Sequence, residues 1–169
     1  MRLLWTKNSK IGSKLICWGT EGDCSHFAVE FDDCVVLQSN MLQGVNLVSS
    51  NEFFKHNEIM HEIKFNSDLD DEESVWQPLV KRLASKADYD KKAMAYWALQ
   101  VIKHRITGSP YPQTNKWDDA KKYMCIELAL ELPDFIFGDK KPDSLSFVTP
   151  INLFHMIDER TKNANFRTH

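Results

Sequence analysis

The stretch Ser25-His26-Phe27-Ala28-Val29-Glu30-Phe31-Asp32-Asp33-Cys34-Val35-Val36-Leu37-Gln38 decides the fold. Side chains of a strand alternate between its faces, so Phe27, Val29 and Phe31 share one face while His26, Ala28 and Glu30 share the other. The acidic turn Asp32-Asp33 leads into Cys34 to Gln38, a run rich in the branched residues that strands favour, and the short connection predicts a hairpin with Gln38 at its end. Working outward, the apolar segment Ser13 to Trp18 reads as a preceding strand, closed by the polar loop Gly19-Thr20-Glu21-Gly22-Asp23. On the other side, Gly44-Val45 follows a short polar loop. Ile59 to Phe65 alternates again, with Ile59, His61, Ile63 and Phe65 on one face. The expected product is an antiparallel meander, a sheet of about four to six strands built from the N-terminal third.

The character of the chain then changes. The acids from Asp68 to Glu73 suit a helix N-terminus, where carboxylates meet the positive end of the backbone dipole. Val75, Leu79 and Leu83, with Trp76 and Val80 beside them, recur at the spacing of one helical face, and Ala87-Asp88 interrupts it. Ala93, Tyr96, Trp97, Val101 and Ile102 mark a second helix ending near Gly108, before the break Thr107-Gly108-Ser109-Pro110-Tyr111-Pro112. A third helix falls within Trp117 to Leu132, closed by Pro133. A fourth is announced by Thr149-Pro150, threonine as cap and proline at the first helical position. The fold class is therefore α+β, a sheet packed with helices.

Composition narrows the function classes. With 169 residues, the chain fits one domain spanning 1–169 and is long enough to bury a core without staples. Its formal charge of −3 comes from interspersed acids and bases, with no basic run to track a phosphate backbone, so nucleic acid is not an expected partner. No window approaches the roughly 20 apolar residues of a bilayer-spanning helix, and an integral membrane protein is not expected. The N-terminus lacks the apolar stretch and small-residue cleavage site of a secretory signal, and the expectation is reduced thiols in a cytoplasm. The four cysteines, Cys17, Cys24, Cys34 and Cys125, stand at irregular spacings without a Cys-x-x-Cys pair. With His26 they match no closed zinc site, so no metal and no cofactor is expected.

A thiol attacks a carbonyl carbon as thiolate, so a catalytic cysteine needs an electropositive setting such as a helix N-terminus and a neighbouring imidazole. Cys125 stands in Tyr123-Met124-Cys125-Ile126-Glu127-Leu128, after a polar, broken stretch and before an apolar helical one. A helix beginning near Met124 points backbone amides at the sulfur; one beginning near Trp117 puts Cys125 mid-helix and removes that help. Most free cysteines are small buried hydrophobes, and most strand histidines are structural. Gln38 can hold an imidazole by accepting from a ring N–H. Tyr111, in the break before the Cys125 segment, is a candidate cleft residue for substrate. His56, His61 and His104 suggest structural roles, His155 and His169 suggest nothing specific, and the aromatics Trp76, Tyr96, Trp97, Phe135, Phe137 and Phe154 suit the interface between helices and sheet.

Taken together and in order, these motifs resemble a known family. Ser25-His26-Phe27-Ala28-Val29 is similar to the histidine strand of the circularly permuted NlpC-like, papain-fold cysteine hydrolases, in which histidine precedes cysteine in the chain. Lys14-Leu15-Ile16-Cys17-Trp18-Gly19 resembles the apolar segment before it, and Val36-Leu37-Gln38-Ser39 with Gly44-Val45 resembles the hairpin partner after it. Cys125-Ile126-Glu127-Leu128 resembles the family's Cys-Ser-Glu-Leu at a helix start, and Thr149-Pro150-Ile151-Asn152-Leu153 the helix start that follows. Two positions depart from the pattern: isoleucine follows Cys125 where a small residue is common, and Gln38 stands where the family usually has glutamate or histidine.

The resemblance implies a permuted papain-like fold and a thiol protease or amidase chemistry on an amide, ester or thioester bond. Cys125 would be nucleophile, His26 its base and Gln38 the residue that fixes the ring. The substrate classes implied are a peptide, a cell-wall fragment or an acylated small molecule. Glutamine orients a neutral imidazole but does not stabilise imidazolium by charge. The alternative is a catalytically silent binding or accessory protein of bacterial or phage origin that keeps the fold.

Overall fold

The structure is a computed structural model describing residues 1–65, 69–112, 115–117, 119, 122–137, 142, 145 and 147–165; the side chains of 69–74, 135 and 163–165 are not among what it describes. Along the chain run β1 (Arg2–Lys7), α1 (Ile11–Thr20), β2 (His26–Phe31), β3 (Val35–Asn40), β4 (Gly44–Ser49), α2 (Ser50–Phe54) and β5 (Glu58–Lys64). Then follow α3 (Leu69–Ala84), α4 (Lys91–Thr107), a 3₁₀ helix (Cys125–Glu131), α5 (Asp134–Phe137) and α6 (Pro150–Asn165). The architecture is mixed α+β around one antiparallel five-stranded sheet of order β4-β3-β2-β1-β5.

The hairpin forms where the alternation puts it. Phe31 pairs with Val35 across a turn in which Asp32 and Asp33 both take positive φ, 50° and 53°, conformations that Asp tolerates better than most residues. β3 runs on past Gln38 to Asn40, because Ser39 and Asn40 still find partners in Val45 and Gly44. Gly44 is required: its φ is +67°, and an added Cβ would sit 2.4 Å from the Ala87 carbonyl oxygen, which accepts from Val45 N.

The expected strand from Ser13 to Trp18 is instead the middle of α1. Ile11, Leu15 and Trp18 recur at helical spacing, all of them exposed, and Glu21 closes the helix in the left-handed region. Gly19 lets α1 lie against α4, since a Cβ there would meet Val101 Cγ1 at 2.4 Å. The strand beside β2 is β1, with Leu3 facing Val29 and Trp5 facing Phe27. The sheet is therefore not a simple meander. β5 crosses to the far side of β1, where Trp5 faces His61 and Leu3 faces Ile63.

Alternation sorts the buried residues into two layers. Leu3, Trp5, Phe27, Val29, Leu37 and Ile63 join Val75 and Leu79 of α3, Ala93 of α4, Leu128 of the 3₁₀ helix, and Leu153 and Ile157 of α6 in one large cluster. Leu4, Ala28 and Val36, on the opposite face, cluster among the described residues with Phe53 of α2, with Val48 and Phe54 beside them. Near the edge of that second face the buried carboxylate of Glu30 pairs with Arg2, which also reaches Glu62.

The later helices agree with the sequence where capping is explicit. α4 begins at Asp90, whose carboxylate accepts from Ala93 N at 2.8 Å, and ends at Gly108 with φ 66°. α6 begins after Thr149, whose Oγ1 accepts from Asn152 N at 3.1 Å. The acids from Asp68 to Glu73 and the ring of Phe135 lie outside the described side chains, as does His169. The third helix falls within Trp117 to Leu132 as expected, and of the two starts left open it takes the one near Met124: among the described residues it runs from Cys125 to Glu131, as a 3₁₀ helix. Just before it Met124 is extended and the Tyr123 carbonyl is pinned to the sheet by Ser39, so no helix passes through them. Among the described residues no helix is long and apolar enough to cross a membrane.

Candidate active site

The β2–β3 ladder stops at Ala28 opposite Gln38. Beyond it, the segment leading to Cys125 takes the place of further pairing. Ser39 Oγ donates to the Tyr123 carbonyl at 2.7 Å, and the amide of Phe27 is directed at the Cys125 sulfur. Met124, the cap residue, has φ −74° and ψ 160°, and its N–H donates to Glu127 Oε2 at 2.7 Å. A buried glutamate at the third position thus holds the start of the turn from which Cys125 projects.

Cys125 is 5% exposed. Burial pushes its thiol up to about 11; the amides of Phe27 and Ile126 pull the other way, and the Glu127 carboxylate adds to the rise. Beside it lies a small apolar cavity of about 20 Å³ lined by Ile16, Ser25, Met94, Trp97, Met124 and Val148 among others.

His26 begins β2, largely buried, with its ring 6.3 Å from that of Phe53. Its Nε2 lies 3.0 Å from Gln38 Oε1. An amide oxygen only accepts, so with Oε1 facing the ring Nε2 carries the proton, and among the described residues Nδ1 has no hydrogen-bond partner. Burial lowers the imidazole to about 4, with the Gln38 bond opposing that fall.

The structure therefore joins His26 to Gln38 and draws Cys125 to the backbone one residue from His26. It does not join the sulfur to the ring by a hydrogen bond: His26 shares the face of Ala28 and Phe53, while Cys125 belongs to the cluster of Phe27 and Val29. Tyr111 is not brought to this place. It stacks on His104 at 4.5 Å and lies near Phe147, burial raises its hydroxyl pKa, and it does not line the Cys125 cavity.

Sequence reasoning missed a second grouping. A groove of about 780 Å³, lined by Lys7, Asn8, Ser13, Cys17, Asp23 and Asn57 among others, opens between α1 and the α2–β5 connection. At its end Asp23, Cys24 and His61 bring their ligand atoms within 4.8 Å of one another. No spacing announces this, because His61 is 38 residues from Asp23 and reaches it only by the β5–β1 pairing. The thiol of Cys24 is fully buried and pushed up to about 12, mainly by burial and then by the Asp23 carboxylate.

Compared with known proteins, the chain matches no family model, no curated protein and no solved structure.

Proposed function

We propose that the chain is a thiol hydrolase of the permuted papain-like type, cleaving an amide or ester bond through an acyl-enzyme. One observation carries this reading: at the start of β2 an imidazole with Nε2 committed to Gln38 and Nδ1 uncommitted lies one residue from the amide that holds the Cys125 sulfur. The sulfur attacks the substrate carbonyl carbon while its proton passes to His26 Nδ1. Amides at the start of the Cys125 turn donate to the oxyanion, which collapses as Nδ1 returns the proton to the leaving amine or alcohol. Water then adds to the thioester with His26 as base, releasing the acid and restoring the thiol.

At rest both partners are uncharged, the thiol at about 11 and the imidazole at about 4. The proton therefore moves with the attack and not before it. Substrate entry has to widen the small apolar cavity and bring the ring and the sulfur together; His26 still pairs with Thr6 of β1 but lies beyond the last β2–β3 pair, so the ladder holds it on one side only. The resemblance implies a peptide, a cell-wall fragment or an acylated small molecule as substrate.

A second reading is a silent binding module of the same fold. It is favoured by the 5% exposure of Cys125 and by a thiol that burial pushes up to about 11. One experiment separates the two. An activated ester, p-nitrophenyl acetate, is added to the native protein and the acylated residue is located by peptide mass spectrometry. The enzyme gives an acyl group on Cys125, lost in Cys125→Ala and slowed roughly 10²- to 10⁴-fold in His26→Ala. Acylation spread over Cys34 and surface lysines, unchanged by either substitution, leaves the binding module.

A further inference from the structure

We propose that Asp23, Cys24 and His61 form a binding site for a divalent cation of the zinc class, separate from the Cys125 region. A carboxylate oxygen, a thiol sulfur and an imidazole nitrogen, all within 4.8 Å of one another, converge from the α1–β2 loop and from β5. Sulfur and imidazole together select zinc-like ions over magnesium or calcium, which take oxygen donors.

The geometry is near what such an ion needs. Bond lengths of about 2.0–2.3 Å at a tetrahedral ion set its ligand atoms about 3.3–3.8 Å apart. His61 Nε2 stands 2.9 and 3.0 Å from the two Asp23 oxygens, so that pair opens by a few tenths of an ångström while the sulfur closes by about 1.5 Å at most. The imidazole is already oriented, its ring stacked on Phe154 at 4.1 Å and 19°. The sulfur comes from the buried side and the carboxylate from the groove side, since Cys24 is fully buried while Asp23 is half-exposed and lines the groove. Three protein ligands on one side leave the remaining position facing the groove, where a water or a ligand group would complete the set. The Cys24 thiol is itself hydrogen-bonded to the Asp23 carboxylate, so all three groups are already linked through that one carboxylate, the arrangement an ion would replace.

The test is titration of the full chain with Co²⁺ alone, followed by Zn²⁺ competition. The expected result is saturable one-to-one binding with a sulfur-to-cobalt charge-transfer band in the near ultraviolet, displaced by Zn²⁺. Cys24→Ser removes that band, and His61→Gln and Asp23→Asn each weaken binding at least about tenfold, whereas Cys34→Ser, at an exposed thiol, changes nothing. Should the buried Cys24→Ser fail to fold, the band in His61→Gln and Asp23→Asn decides. Absence of saturable binding, or binding indifferent to His61→Gln and Asp23→Asn, overturns the proposal and leaves an ion pair beside a core thiol.

Discussion

The two faces of the central sheet receive very different cover. One is buried under α3, α4, α6 and the 3₁₀ helix, and its side chains are Leu3, Trp5, Phe27 and Val29. The other has Leu4, Ala28 and Val36 beneath the five residues of α2, with His26, Gln38 and the Arg2–Glu30 pair on the same side. The thick face is where desolvation dominates, and there the sulfur of Cys125 is kept neutral. The thin face carries more polar groups, and there the imidazole is held by an amide. The Cys125 thiol and the His26 imidazole, fixed on two sides of one strand, are each kept neutral, and the proposed proton transfer between them requires motion at the strand end.

The sharpest way to break this contrast is to remove one large ring from each face. Trp5 is fully buried and packs on Phe27 and Phe154 at 5.2 and 5.3 Å between ring centroids. Trp5→Ala should cost about 3–5 kcal/mol, because the cavity is walled on every side and cannot collapse. Phe53→Ala should cost less, roughly 2–3 kcal/mol, since a five-residue helix can settle onto the gap. Urea unfolding measures both; equal losses would mean that the faces are equally well packed.

Much of the contrast was legible before any coordinates. The alternation in Ser25–Phe31 assigns both faces of β2, and Asp32-Asp33, Gly108 and Thr149-Pro150 mark their turns and caps by local chemistry that tertiary structure does not override. What failed was long-range or ambiguous. Ser13–Trp18 is apolar enough for a strand, yet the spacing of Ile11, Leu15 and Trp18 fits a helix that leaves all three exposed. β1, six residues at the very start, gives too short a pattern to be separated from its surroundings. At the site, the resemblance implied that Gln38 fixes the His26 ring, and the two are hydrogen-bonded; the choice between a helix start near Trp117 and one near Met124 stayed open in the sequence, because it is fixed by Ser39 and Glu127 rather than by local pattern.

The next effect in size is pH dependence from the thin face. The folded imidazole of His26, at about 4, lies below its ordinary 6.5, so the unfolded chain takes up the proton first as the solution is acidified. Stability from this group is therefore present above about pH 6.5 and lost as pH falls through about 4, on the order of 3 kcal/mol in total. Urea midpoints followed between those limits should show the fall, and His26→Gln should flatten it. A carboxylate at the holding position sharpens the same comparison: Gln38→Glu should raise the imidazole by about one to three pKa units, read from the ring proton shifts by NMR. An unmoved ring would place the glutamate away from Nε2.

The smallest effect asks whether the thick face folds as one unit with its last helix. Thr149 is 6% exposed and caps α6, with Oγ1 accepting from Asn152 N, while Leu153 and Ile157 on the same helix are fully buried in the large cluster. Losing a cap costs about 1 kcal/mol in helix stability. If α6 and the sheet unfold together, Thr149→Ala shifts the urea midpoint by that amount with the slope unchanged, because the surface exposed on unfolding is the same. Were α6 to detach on its own, the global midpoint would hold and only the amides of α6 would exchange faster. The stacking of His61 on Phe154 and the packing of Trp5 on the same ring tie α6 to β1 and β5 at two points, and the shared midpoint is the expected outcome.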